Sequence, residues 1–241
     1  MNTSHKLAGL VFVMLFLISL TPATGQVEFT ADEAQFIADN PNLANQNFLS
    51  TFVAPGDNNL CISPVNSQSD DNCFSPGDIL PEIEITGTLL RLLGANIAGN
   101  GNPTNALIIS ENGLVFDIFF DPGVTAAGIR PGCISFPGPC NENARIQVFG
   151  ESGLLDEIVL PISGTFNDFL GITSSVPIVN IRLQDSVPNE PTDLGVLYVR
   201  FQAEPNPIPT LSEWGMIAAA GGLMLAGVYF AVRRRRASIN L

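Results

Sequence analysis

The sequence predicts an all-β protein: an antiparallel β-sandwich of jelly-roll-like topology, held between an N-terminal signal peptide and one C-terminal transmembrane helix. Three observations predict it. Short runs rich in Val, Ile, Thr and Phe recur between Ile79 and Phe201, with turn residues between them. That region shows almost no helical periodicity. The two ends of the chain carry apolar stretches whose lengths and flanks suit an export signal and a membrane span.

At the N-terminus, Met1 to Lys6 carries the chain's only Lys, and Leu7 to Leu20 is an almost unbroken apolar run. It is too short for a comfortable span. Pro22 stops the helix, and the small residues Ala23 and Gly25 suit a signal peptidase, so cleavage after Gly25 is expected and residues 1–25 are assigned to the signal peptide. Residues 26–77 are expected to pack on the sandwich as a helix and a disulfide loop. Thr30-Ala31-Asp32-Glu33 has the form of a capping box, Phe36 and Ile37 give the following helix an apolar side, and Asn40-Pro41 ends it. From Asn42 to Gly77 the chain is rich in Asn, Ser, Asp and Pro and reads as a long loop, with one short strand around Phe48 to Val53.

Residues 78–203 are assigned to the sandwich. Its expected strands begin in Ile79 to Leu93 and continue with Ala106 to Ile109 and Leu114 to Phe120, which flank the turn signal Asn112-Gly113. Val124 to Ile129 precedes a cysteine loop. Ala144 to Phe149 and Leu154 to Ile162 form a hairpin across Gly150-Glu151-Ser152-Gly153, and Phe169 to Thr173, Pro177 to Leu183 and Leu194 to Phe201 complete seven or eight strands. An immunoglobulin-like strand order is the main alternative. Phe116, Phe119, Phe120, Phe166 and Phe169 are expected to fill the space between the sheets.

Cys61, Cys73, Cys133 and Cys140 all lie in the region expected to be exported. Four cysteines in an oxidising compartment imply two disulfides, and pairing each cysteine with its near neighbour across a short loop is the simplest of the three connectivities. Neither spacing is CxxC and no His is available there, which argues against zinc.

Residues 204–214 begin with Glu204-Pro205-Asn206-Pro207-Ile208-Pro209, whose alternate prolines make a stiff extended spacer. Residues 215–232 carry no charge and, as a helix, would reach roughly 27 Å, enough to cross the hydrocarbon core. Arg233, Arg234, Arg235 and Arg236 follow at once, so residues 233–241 form a basic tail on the cytoplasmic side, with everything before the helix outside. All 23 acidic residues lie between Glu28 and Glu213 and face only Arg91, Arg130, Arg145, Arg182 and Arg200, a formal charge of −18. Such a surface repels phosphate backbones, so no nucleic-acid partner is expected, whereas divalent cations or basic partners would be attracted.

The segment Ile208-Pro209-Thr210-Leu211-Ser212-Glu213-Trp214-Gly215, followed by the apolar helix and Arg233 to Arg236, resembles the IPTL-CTERM sorting signal, a relative of PEP-CTERM tails. The resemblance implies that Ile208, Pro209, Thr210, Leu211, Trp214 and Gly215 are read by an exosortase-type membrane transpeptidase, which moves the exported part to the cell surface or beyond. A permanent anchor is the other fate of the same topology, with membrane lipid as the helix's partner. A wider similarity to exported jelly-roll ectodomains, themselves similar in shape to carbohydrate-binding modules, is carried by Gly77 to Pro81, Asp121 to Gly128 and Gly171 to Ile178. The aspartate-asparagine pair usual before the last strand of that group is replaced here by Leu194 to Phe201.

His5 and Lys6 both fall in the signal peptide, so the exported part has neither residue. That excludes Ser-His-Asp and Cys-His nucleophiles, histidine metal ligands and lysine Schiff bases. Asp117 with Asp121, or Asp156 with Glu157, are the remaining carboxylate pairs for a glycoside-processing enzyme. Asp57-Asn58-Asn59 and Asp70-Asp71-Asn72 offer oxygen ligands for calcium but lack the spacing of a calcium loop, so no cofactor is expected. The reading is a non-catalytic surface or matrix protein. The second reading, a carbohydrate-binding module with envelope polysaccharide as its partner, is weakened because the exported part has Tyr198 but no Trp before Trp214 to build a stacking face.

Overall fold

The computed structural model describes residues 27–109, 115–135, 140–186 and 193–202, and these form an antiparallel all-β domain. Its strands are β1 (Val27–Thr30), β2 (Ala44–Asn47), β3 (Asn58–Leu60), β4 (Ile83–Thr86), β5 (Leu90–Leu93), β6 (Ala106–Ile109), β7 (Val115–Ile134), β8 (Asn141–Gly150), β9 (Gly153–Ser163), β10 (Leu170–Asp185) and β11 (Asp193–Phe201). Among the described residues one α-helix, α1 (Glu33–Asp39), follows β1.

Two long strands organise the sheet. The first half of β7 pairs with β4 on one side and with the second half of β10 on the other, and β8 and β9 extend that arm. The second half of β7 pairs with β11 and with the first half of β10; β11 leads on to β6, β5 and β3, while β1 lies beside β10. Between the halves the β7–β10 register slips, Thr173 facing Ala126 and Ile178 facing Val124. Pro122 and Pro177 lie at this slip, and each lacks the N–H that an unbroken ladder would need. The two arms therefore share their central strands and change direction together. Ile118, Ile146 and Leu183 from one arm and Leu107, Val196 and Phe201 from the other belong to one buried cluster.

Helix α1 covers the outside of the second arm. Phe36 is buried against Phe169, ring centroids 5.5 Å apart, in a seat made by Gly128 and Gly171, which face each other across β7 and β10. A Cβ on Gly171 would lie 2.5 Å from the Phe36 ring, so the seat needs glycine. Backbone approach is closer still at Gly195, where a Cβ would meet the Leu107 carbonyl oxygen at 2.1 Å. Because a main-chain atom of the adjacent strand cannot swing away, Gly195→Ala is expected to lower unfolding free energy by about 1–3 kcal/mol, readable as a shifted urea midpoint.

Several expectations change. Residues 48–53 are not a strand; the Asn105 amide holds the carbonyls of Phe48 and Thr51, at 3.0 and 2.8 Å, in a loop. The short strand lies earlier, in β2. Ile79 to Leu93 divides into β4 and β5, and the expected run 124–129 is part of the long β7. The strands flanking Asn112-Gly113 do not pair, since β6, buried at every position, takes β5 and β11 as neighbours. The helix is capped by Asp32, whose Oδ1 accepts the Gln35 N–H at 2.9 Å, and Thr30 Oγ1 accepts the Asp32 N–H. Starting after Asp32 rather than Thr30 makes Glu33 the first helical residue, so its carboxylate points away from the cap. Ile37, expected on the apolar side, is exposed.

Phe119 is the change that bears most on function. Phe116 and Phe120 are buried in the shared core as expected, and Phe166 and Phe169 are buried in two separate clusters, Phe169 beneath α1, but Phe119 is 38% exposed. In the first half of β7 the buried apolar residues are Phe116, Ile118 and Phe120, and strand alternation sends Asp117, Phe119 and Asp121 to the other face.

Candidate functional site

The outward face of the first arm presents two rows across its strands. Asp117, Arg182, Gln147 and Glu157 stand opposite one another in turn on β7, β10, β8 and β9. Beside them run Glu84, Phe119, Asn180, Phe149 and Leu154, on β4, β7, β10, β8 and β9. The polar members are fixed in place. Arg182 grips Asp117 through both arms of its fork, Nε to Oδ1 at 2.8 Å and Nη2 to Oδ2 at 3.2 Å, and Asn180 Nδ2 donates to the same Oδ1 at 3.1 Å. The guanidinium carbon of Arg182 lies 5.3 Å from the centre of the Phe149 ring, a cation–π contact that also holds that ring.

Beside Phe119 the face opens into a groove of about 230 Å³. Its walls are Asn66 and Gln68 from the disulfide loop on one side and Glu82, Glu84 and Asp121 on the other. Asn66 Nδ2 donates to Glu84 Oε2 at 3.1 Å, which ties the loop to the sheet.

The disulfides form as expected, Cys61 with Cys73 and Cys133 with Cys140. Inside the first loop Asp71 Oδ1 accepts the backbone N–H groups of Cys73 and Phe74, and Oδ2 accepts that of Ile62. The Asp71 carboxylate, suggested as a calcium ligand, is thus a turn acceptor here. Asn59 likewise donates to the Asn72 carbonyl at 2.9 Å, and Asp57 Oδ1 accepts the Asn58 N–H at 2.8 Å. Among the described residues no group of three or more His, Cys, Asp or Glu is arranged to hold a metal ion.

The carboxylate pairs fit glycoside chemistry poorly. Asp117 and Asp121 lie four residues apart on one strand, roughly 13 Å, beyond the spacing of about 5–9.5 Å that either hydrolytic geometry uses. Asp117 is also buried beneath Arg182 and Asn180. Asp156 accepts the Glu157 N–H at 2.8 Å, and Glu157 accepts from Gln147 at 3.0 Å.

A second polar cluster joins α1 to the domain. Glu33 receives Arg130 Nη2 at 2.5 Å and Nε at 3.2 Å, accepts a hydrogen bond from the Tyr198 hydroxyl, and lies 3.5 Å from Arg200 Nε. Both guanidinium carbons face the Tyr198 ring, at 5.7 and 5.0 Å. Burial would raise the Glu33 carboxyl, but the hydrogen bonds from Tyr198 and Arg130 and the charges of Arg130 and Arg200 outweigh it and hold the group below the ordinary carboxylate value. Burial and the hydrogen bond to Glu33 push the Tyr198 phenol up.

The sorting residues Ile208, Pro209, Thr210, Leu211, Trp214 and Gly215, the expected membrane helix, Arg233 to Arg236 and the signal peptide lie outside the described residues. Sequence reasoning did not single out Phe149, Asn180 or Arg182. The signal was the alternation on each strand: Ala144, Ile146 and Val148 turn inward between Arg145, Gln147 and Phe149. No protein-family model matches the chain, and no curated protein matches it.

Proposed function

We propose that the chain is a non-catalytic cell-surface or extracellular-matrix protein, a jelly-roll-like β-sandwich exported by its signal peptide and sorted through an IPTL-CTERM tail by an exosortase-type enzyme. The observation that carries the exported location is the pair of buried disulfides, which close short loops on two separate parts of the domain and belong to an oxidising compartment. The bent long strands, shared by two arms around one core, support the sandwich. The sorting step rests on the order of the tail: proline spacer, Ile208 to Gly215, apolar helix, arginines. In that order Trp214 would sit at the headgroup level and the arginines would fix depth, presenting Pro209-Thr210 at the outer surface to an enzyme embedded in the membrane.

Trp214→Ala and Pro209→Ala are each expected to trap the uncleaved form in the cytoplasmic membrane of the native host, while Glu190→Ala, upstream of β11 in the sequence, leaves processing unchanged. Mass spectrometry of the mature C-terminus reads the outcome. Native protein found only in that membrane and intact through Leu241 would remove the sorting step and leave the permanent anchor.

A further inference from the structure

Phe119 and Phe149 both stand opposite Asn180, on the strands at either side of it, so their rings rise from one face about 10 Å apart. Between and beside them the surface alternates donors and acceptors: the Asn66 and Gln68 amides, Arg182, and the carboxylates of Glu84 and Asp121. An apolar protein surface laid on this face would strip the water that solvates the Glu82, Glu84 and Asp121 carboxylates. A sugar ring suits both features, because its C–H face packs on an aromatic ring while its equatorial hydroxyls both donate and accept at the rim. Charge narrows the choice. Three carboxylates, Glu82, Glu84 and Asp121, line the groove beside Phe119, so an anionic polymer meets like charge there. The site is also rigid, its floor being sheet and its wall a loop closed by the Cys61–Cys73 bond, which reduces the ordering cost of binding.

We infer that the groove and the Phe119–Asn180–Phe149 row form a binding site for a neutral glycan chain, with Phe119 stacking one sugar ring and the chain running on along the row toward Arg182 and Phe149. This goes beyond the sorting function and is independent of how the tail is processed, since binding is read on the intact chain in either case. The full-length protein in detergent is titrated calorimetrically with hexasaccharides of β-1,4-linked glucose, β-1,3-linked glucose and β-1,4-linked N-acetylglucosamine, and with polygalacturonate as the anionic comparison. The expected result is saturable binding of at least one neutral hexasaccharide with Kd below about 1 mM, weakened roughly tenfold by Phe119→Ala and also weakened by Glu84→Gln. Ile37→Ala, exposed on α1 away from the groove, should leave it unchanged. A thermal melt checks that Phe119→Ala folds; should it not, Asp121→Asn takes its place with the same expected weakening. The inference is overturned by absence of saturable binding to all three neutral chains, by preference for polygalacturonate, or by wild-type affinity in the variants.

Discussion

Replacing Cys61 and Cys73 together by alanine is expected to lower the unfolding free energy by about 3 kcal/mol, the loop-closure entropy returned to the unfolded chain by releasing a bridge between residues 12 apart. The bond Cys133–Cys140 closes a loop of 7 and should be worth slightly less, about 2.5 kcal/mol. All four sulfurs are buried, so each loss also opens a small cavity. Urea unfolding of the intact chain measures both, and excess dithiothreitol added to the wild type should reproduce the sum. The first bond has a functional consequence that the second lacks. Asn66 and Gln68, one wall of the groove beside Phe119, lie within the loop that Cys61 and Cys73 close; the Asn66–Glu84 hydrogen bond and the backbone bridge between Val65 and Ile85 join that wall to the sheet, and the disulfide closes the loop that carries it. The Cys61→Ala, Cys73→Ala double variant should therefore lose glycan affinity, whereas the Cys133→Ala, Cys140→Ala pair should keep it at temperatures where the protein stays folded. A melting profile indifferent to reductant, or four free thiols in protein purified from the envelope, would refute the assignment.

Which parts of this molecule were legible in the sequence follows from the range of the forces involved. The β8–β9 hairpin is local: Gly150 faces Gly153 across the turn, the register shifts once, between Phe149 and Val148, and strand alternation fixes the pairing beyond that. Helix α1 ends at Asp39 because Pro41 follows within two residues. The disulfides were legible because each pair is close in the chain. Long-range pairing was not. Nothing in Ala106 to Ile109 says that its neighbours will be β5 and β11, and Asn-Gly is a strong hairpin signal whichever strands the fold brings together. Nor could spacing show that β7 and β10 run on through the interruptions at Pro122 and Pro177, since proline ordinarily marks the end of a strand.

The candidate glycan face was half legible. Composition counts aromatic residues without regard to side, and on that count a domain with no Trp looks unsuited to stacking. Period-2 alternation in Val115 to Asp121 places Phe119 between two aspartates on the outward face, and the same reading places Phe149 beside Gln147. The register that sets both rings opposite Asn180 comes only from the three-strand pairing.

Glu33→Ala is expected to cost about 2 kcal/mol at neutral pH, because it leaves Arg130, Arg200 and Tyr198 facing one another with no anion among them. The Arg130–Glu33 side chains are 28% and 20% exposed, so the loss falls below that of a fully buried pair. Glu33→Gln should cost less, since its carbonyl still accepts from the Tyr198 hydroxyl. The pH dependence has two limbs. The folded Glu33 carboxyl lies below its ordinary value of 4.5, so its contribution is complete above that pH and is lost as pH falls through the lowered folded value. The folded Tyr198 phenol lies above its ordinary value of 10.0, so its contribution is complete below that pH and is lost as pH rises toward the raised folded value. Tyr198→Phe should abolish the alkaline limb and keep part of the acid limb, while Glu33→Ala should weaken both, because the anion is part of what holds the phenol protonated. Urea midpoints measured from acid to alkaline pH on the three proteins separate these cases. Equal midpoints for Glu33→Ala and wild type at neutral pH would mean that α1 is held by Phe36 in its glycine seat, with the ion pairs contributing no more than ordinary surface contacts.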